Sequence, residues 1–204
     1  MIALLKDINI FSTVELGICM ESSPKSWSRY VDKIASAGGK PQAKFSRFRA
    51  RFILAKDLES ISIKGMSPGT SDAYFAALRV TLAFTALEAL EIAIGCKNQI
   101  KLVDKDLASQ IRKQHTKIIS AIEVSVSQNA TNDMKKSLDL FKENRSDDLL
   151  PFVYGFRNLM AHGQFTPNHF GLAKAPLRIK LINDLTDATL DALDDRFSAF
   201  VRKL

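Results

Sequence analysis

Apolar positions along the chain recur mostly at helical spacing. In KFSRFRARFIL, Phe45, Phe48 and Phe52 fall on one helical face, with Lys44, Arg47 and Arg51 as an adjacent stripe. Segments 26–37 and 42–64 both read as helices. AGGKP, between them, is a strong break. GMSPGTSD is the next loop, where Thr70 or Ser71 is placed to cap a helix over roughly 71–95. That segment, AYFAALRVTLAFTALEALEIAIG, is apolar on nearly all sides, which predicts a central, buried helix ending at Gly95. A further helix is predicted from Asp104 to about residue 127, and a shorter one over about 132–143, separated by NATND. NRSDDLLPFVYGFRNLMAHGQF reads as a helix starting near Ser146–Asp147, or toward Asp148 if Pro151 is to lie in its first turn, and stopping at Gly163. QFTPNHFGLAKAP is a loop, and the last helix runs from about Leu177 or Asn183 to the end, with Leu190, Leu193, Phe197 and Val201 as its apolar stripe. Strand-like alternation is nowhere sustained, so the expected fold is all-α.

The chain has 204 residues, 46% of them apolar and 25% charged, enough for one sizeable core. No apolar run reaches the length that crosses a bilayer. MIALLKDINIF lacks a basic region followed by a long apolar region and a small-residue cleavage site, so no secretory signal is read. The expectation is a soluble, cytoplasmic protein without a membrane partner. Cys19 and Cys96 stand far apart with no CxxC spacing, and His115, His162 and His169 form no HExxH-like pattern. Neither a metal site nor a cofactor is expected.

Charge changes the picture more. The formal net charge is +7 and unevenly placed. Between Lys25 and Lys56 stand nine Lys or Arg and a single acid, Asp32, whereas NDLTDATLDALDD carries five acids and no base. A positive lobe suggests a polyanionic partner, most commonly nucleic acid, and makes Lys44, Arg47, Arg49 and Arg51 candidate RNA-binding residues. The plain alternative is a solvated helix face.

The sequence is most specific at YGFRNLMAHGQF, where Arg157 and Asn158 are followed by His162. An Arg-Asn pair with His at this one spacing is expected by chance in only roughly 0.6% of chains of this composition. The residue types suit RNA cleavage. Ribose brings its own nucleophile, the 2′-OH. The catalyst must supply a base for that proton, an acid for the leaving 5′-oxygen and a cation for the phosphorane. Histidine titrates near neutrality and serves as base or acid. Arginine offers planar, bidentate donors to phosphate oxygens, and asparagine can orient the imidazole or a phosphate oxygen. The bland readings are a dipole-complementing His at a helix end, a snorkelling surface Arg, and an Asn158–His162 hydrogen bond one turn apart. Glu88 and Glu91, on the expected central helix, need partners if buried. For Glu88 these are Arg157, Arg79 or a wet strip. His169 is a conceivable second proton carrier, or simply an exposed loop residue.

RNLMAH matches the R-N-x-x-x-H signature of the HEPN superfamily, and the chain resembles that family over about residues 70–204, with its long apolar helix carrying an internal acid (Glu88, in FTALEALE) and the motif on a later helix. The resemblance implies an all-α helical bundle over 70–204; residues 1–69 fall outside it and are expected as an additional N-terminal helical extension packed on that core. It implies a metal-independent endoribonuclease, a toxin or defence effector; attack by the 2′-OH would leave a 2′,3′-cyclic phosphate. Arg157 and His162 then carry the chemistry, Asn158 orients and Glu88 supports Arg157. It further implies a homodimer and a possible antitoxin partner. Geometry also favours the dimer: five residues of α-helix turn through about 500°, leaving Arg157 and His162 about 140° apart. The alternatives are a non-catalytic HEPN-like module that binds nucleotide, RNA or protein, and a plain helical interaction domain.

Overall fold

The computed structural model describes residues 22–40, 42–95, 100–114, 116–167 and 172–204. Among them are eight α-helices: α1 (Trp27–Ser36), α2 (Ala43–Asp57), α3 (Pro68–Ile94), α4 (Lys105–Gln114), α5 (Thr116–Asn129), α6 (Asn132–Lys142), α7 (Leu150–Ala161) and α8 (Pro176–Lys203), with a short 3-10 turn at Leu172–Lys174. The described residues hold no strand, only an isolated antiparallel bridge between Val103 and Asp148. The chain is all-α over these residues. None of these helices is long and apolar enough to cross a membrane.

Helix α3 organises the rest. Its start is set by Ser67, whose hydroxyl accepts the Thr70 N–H at 3.3 Å, with Pro68 in the first turn. The cap is therefore Ser67 rather than Thr70 or Ser71. Its end is Gly95, at φ 74°, a conformation that favours glycine. Ala73, Ala76, Ala77, Val80, Ala83 and Leu90 are buried along α3. These mostly small side chains let α2, α7 and α8 pack closely around it.

The apolar stripe of α2 points inward as its spacing predicts: Phe45, Phe48 and Phe52 are buried. Phe45 and Phe48 meet Phe197 of α8, whose ring lies 5.4 Å from that of Phe48, 5.7 Å from Tyr30 and 6.0 Å from Trp27. Trp27, Tyr30, Phe45, Phe48, Phe52 and Ala55 thus share one core with the buried residues after position 69.

Several boundaries differ from the sequence reading. Helix α2 stops at Asp57 rather than 64, because Leu58 turns extended and the β-branched, serine-rich ESISIK follows. The segment expected as one helix over 104–127 forms α4 and α5. Helix α7 begins at Leu150, later than Ser146–Asp148. The reason is Asp148. Its carboxylate accepts the N–H groups of Leu102 at 3.3 Å and Leu150 at 3.1 Å and the Ser137 hydroxyl at 3.0 Å, which holds the preceding residues in a turn. Arg112 ties the same turn down, donating to the Phe141 carbonyl at 3.0 Å and to Asp147 at 2.9 Å while lying 4.2 Å over the Phe141 ring. The start of the motif helix is fixed from both α4 and α6.

Its middle is fixed by a close approach. A Cβ on Gly155 of α7 would lie 2.7 Å from both Cδ1 and Cγ2 of Ile122 on α5. Ile122 is fully buried, and its β-branched side chain has little freedom to retreat. Gly155→Ala is therefore expected to cost about 1–3 kcal/mol through overpacking, well beyond any gain in helix propensity. Urea unfolding checks this, and a variant as stable as wild type would contradict the tight α5–α7 packing.

Candidate functional site

Phe152, Val153, Phe156 and Leu159 of α7 face the core, which turns Arg157 toward α3. The Arg157 guanidinium sits in a corner built by three groups. Nη1 donates to Asn158 Oδ1 at 3.0 Å. Nη2 lies 4.0 Å from Glu88 Oε1. Its carbon lies 5.8 Å from the centre of the Phe84 ring, within cation–π range. Phe84 and Glu88 are one turn apart on α3, so a single stripe of that helix presents both a ring and a carboxylate. Tyr154 meets the Phe84 ring edge-on at 5.7 Å.

The Glu88–Arg157 pair is half wet, with the two side chains 43% and 35% exposed. At 4.0 Å and in contact with solvent it contributes little to stability. Its consequence is orientation. Arg79, the other candidate partner for Glu88, is engaged elsewhere, donating to Asp187 at 2.9 Å, Asn183 at 3.1 Å and the Ala55 carbonyl at 3.2 Å. Glu91 is buried on α3, unlike Glu88.

Asn158 is 1% exposed, and its Nδ2 has no hydrogen-bond partner among the described residues. The amide is committed to Arg157 through Oδ1. It therefore acts on the guanidinium and not on the His162 side chain, the partner that spacing one turn away allowed. A buried, unpaired N–H carries a free-energy cost, so packing and the bond to Arg157 must hold the amide in place.

His162 caps the C-terminus of α7, and its backbone N–H still donates to the Asn158 carbonyl at 2.9 Å. This hydrogen bond closes the helix, which ends at Ala161; His162 lies just past it at φ −90°, and Gly163, at φ 67°, turns the chain away. The five-residue spacing sets His162 about 140° round from Arg157. The His162 side chain is exposed, and no side-chain bond joins it to Arg157 among the described residues. Arg157, Asn158 and Glu88 come together within the chain, and His162 stands apart. His169, Cys19, Cys96 and His115 lie outside the described residues.

The four basic residues of α2 divide. Arg47 is exposed with no partner among the described residues. Lys44 Nζ lies 5.5 Å over the Phe45 ring. Arg49 turns inward: its Nε donates to Ser23 Oγ at 2.9 Å and its guanidinium lies 5.1 Å over Trp27. Burial there holds its pKa below the ordinary arginine value. Arg51 Nη1 donates to the Thr85 carbonyl of α3 at 3.2 Å. Thr85 is beside Phe84, so Arg51 approaches the stretch of α3 that also meets Arg157.

No family model, curated protein or solved structure matches the chain. Sequence reading overlooked Phe84 and the Thr85 carbonyl. Phe84 was legible as a ring four residues before Glu88; a backbone carbonyl as an arginine anchor has no sequence signal.

Proposed function

We propose that the chain is a HEPN-like, metal-independent endoribonuclease. The observation that carries this reading is Arg157, lodged between Asn158 and Glu88 with donors to spare, on the helix whose end exposes His162. A guanidinium has five N–H donors, and one is spent on Asn158. The others suit the non-bridging oxygens of a phosphodiester. Attack of the 2′-oxygen on phosphorus forms the new P–O bond and breaks the bond to the 5′-oxygen. The base takes the 2′-OH proton, and an acid returns one to the departing 5′-oxygen. Arg157 neutralises the charge that builds on the phosphorane oxygens. Asn158 holds that arginine, and Glu88 keeps it aimed along α3. His162 serves as base or acid.

One His162 per chain, set about 140° round α7 from its own Arg157, favours a site shared by two copies about a two-fold axis. Ile92, one turn beyond Glu88 on α3, is 63% exposed and offers an apolar contact for that association. The biological setting the resemblance suggests, a toxin or defence effector restrained by an antitoxin partner, belongs to the same proposal.

The test is incubation of purified protein with varied single-stranded RNAs in excess EDTA, followed by analysis of the new ends. Cleavage leaving 2′,3′-cyclic phosphates is expected. Intact RNA across varied substrates sinks the enzymatic reading and leaves the non-catalytic binding module.

A further inference from the structure

Arg51 and Arg157 come from opposite ends of the chain and approach the same turn of α3 from different sides. Arg51 reaches it from α2 through the Thr85 carbonyl at 3.2 Å, and Arg157 from α7 over Phe84 and toward Glu88. The register of α2 on α3 extends this. Arg79 of α3 donates to the Ala55 carbonyl, and Arg51 donates to Thr85. Ascending α3 thus means descending α2, and the two helices run antiparallel. Four residues before Arg51 on the same face of α2 stands the exposed Arg47, which the register carries toward the turn of α3 holding Glu88 and Ile92. These three arginines contrast with Arg49, which is turned to Ser23 and Trp27.

We infer that α2, α3 and α7 form one phosphodiester-binding cleft, in which Arg51 and Arg157 grip the RNA backbone from either side of the Phe84–Glu88 turn and Arg47 extends the track. This rests on the proposed ribonuclease reading and names the element that delivers substrate to it. Arg51 is a binding and positioning residue; the chemistry stays with Arg157 and His162. Each of Arg51 and Arg157 spends one donor within the chain, leaving several for phosphate oxygens. Among the described residues Glu88 is the acid paired with Arg157, at 4.0 Å. Its repulsion of a phosphate favours a strand that both arginines hold at once.

The probe is a short 2′-O-methylated oligonucleotide, which binds but lacks the attacking hydroxyl, titrated by fluorescence anisotropy at several salt concentrations. Arg51→Gln is expected to weaken binding about tenfold and to reduce the salt slope by about 0.7–1, the signature of one lost phosphate contact. Arg51→Lys keeps the charge and is expected to recover most of the affinity. Glu88→Gln removes the repulsion and is expected to tighten binding by roughly threefold. If Arg51→Gln matches wild type in affinity and slope while Arg157→Gln weakens binding, Arg51 is only a tie to α3 and the cleft is refuted, with the proposed function untouched. Equal losses in Arg51→Lys and Arg51→Gln, together with a lowered melting temperature, refute it in the same way. Failure of the ribonuclease reading shows separately, as RNA left intact while the probe still binds.

Discussion

His162→Ala lowers RNA cleavage at least about 10²-fold, the ordinary cost of losing a general acid or base, while leaving the fold intact. The second half follows from where the residue sits. Its side chain is exposed at the end of α7, so truncation opens no cavity. What is lost structurally is at most a favourable interaction with the helix dipole, about 0.3–1 kcal/mol. Arg157→Ala is expected to fall as far or further, since it removes the group facing the phosphorane. It differs in kind: Asn158 Oδ1 loses its partner, leaving the whole buried amide unpaired, so a measurable loss of stability accompanies the loss of rate. Single-turnover cleavage in EDTA, paired with thermal unfolding, reads both quantities. A His162→Ala protein that cleaves at the wild-type rate removes His162 from the mechanism and returns the imidazole to the role of a helix-end cap.

How much of this was legible in the sequence varies by residue. The stripe Phe45, Phe48, Phe52 gave the buried face of α2 directly, because helical spacing leaves no other face for three rings. The apolar run from Tyr74 to Ile94 marked the central helix for the same reason. Its wet edge at Glu88 and Ile92 was not legible, because it depends on where α2 and α7 stop covering α3. The basic cluster shows the limit of composition. Arg49 lies about 200° round the helix from Arg47, so four cations close in sequence cannot share one surface. That angle was available from the sequence; the Ser23 and Trp27 that receive Arg49 were not. The start of α7 was misplaced because Asp148 is tied to three partners, two of them distant in sequence, Leu102 and Ser137. At the site, residue types were readable and pairings were not. Arg157, Asn158 and Glu88 meet because α3 crosses α7, and nothing in RNLMAH says whether Asn158 serves the arginine before it or the histidine after it.

Mixing two inactive variants restores cleavage. Arg157→Ala and His162→Ala proteins are each expected to be nearly inert alone; unfolded together and refolded, or co-expressed with different tags, they recover activity that neither shows. Helix α7 ends at Ala161, and the His162 N–H still donates to the Asn158 carbonyl at 2.9 Å, which sets the direction in which the chain leaves the helix. With the helix intact up to Ala161, the five-residue spacing sets the two side chains about 140° apart, and one chain does not readily aim both at one phosphate. A two-fold axis beside α7 supplies the missing direction by bringing His162 of one copy toward Arg157 of the other. A mixed dimer then retains one intact Arg157 and one intact His162 across the axis, and random pairing makes about half of all dimers mixed. The same geometry requires the active species to run at twice the 22.7 kDa chain mass, and activity per chain to fall on dilution below the dissociation constant. Ile92→Asp, which places a charge on the exposed apolar residue next to Glu88, is expected to shift mass and activity together toward the inactive monomer. A monomer that is fully active at micromolar concentration defeats the shared site outright. So does a mixed preparation no more active than its two components, provided that mixed dimers have been isolated through their tags.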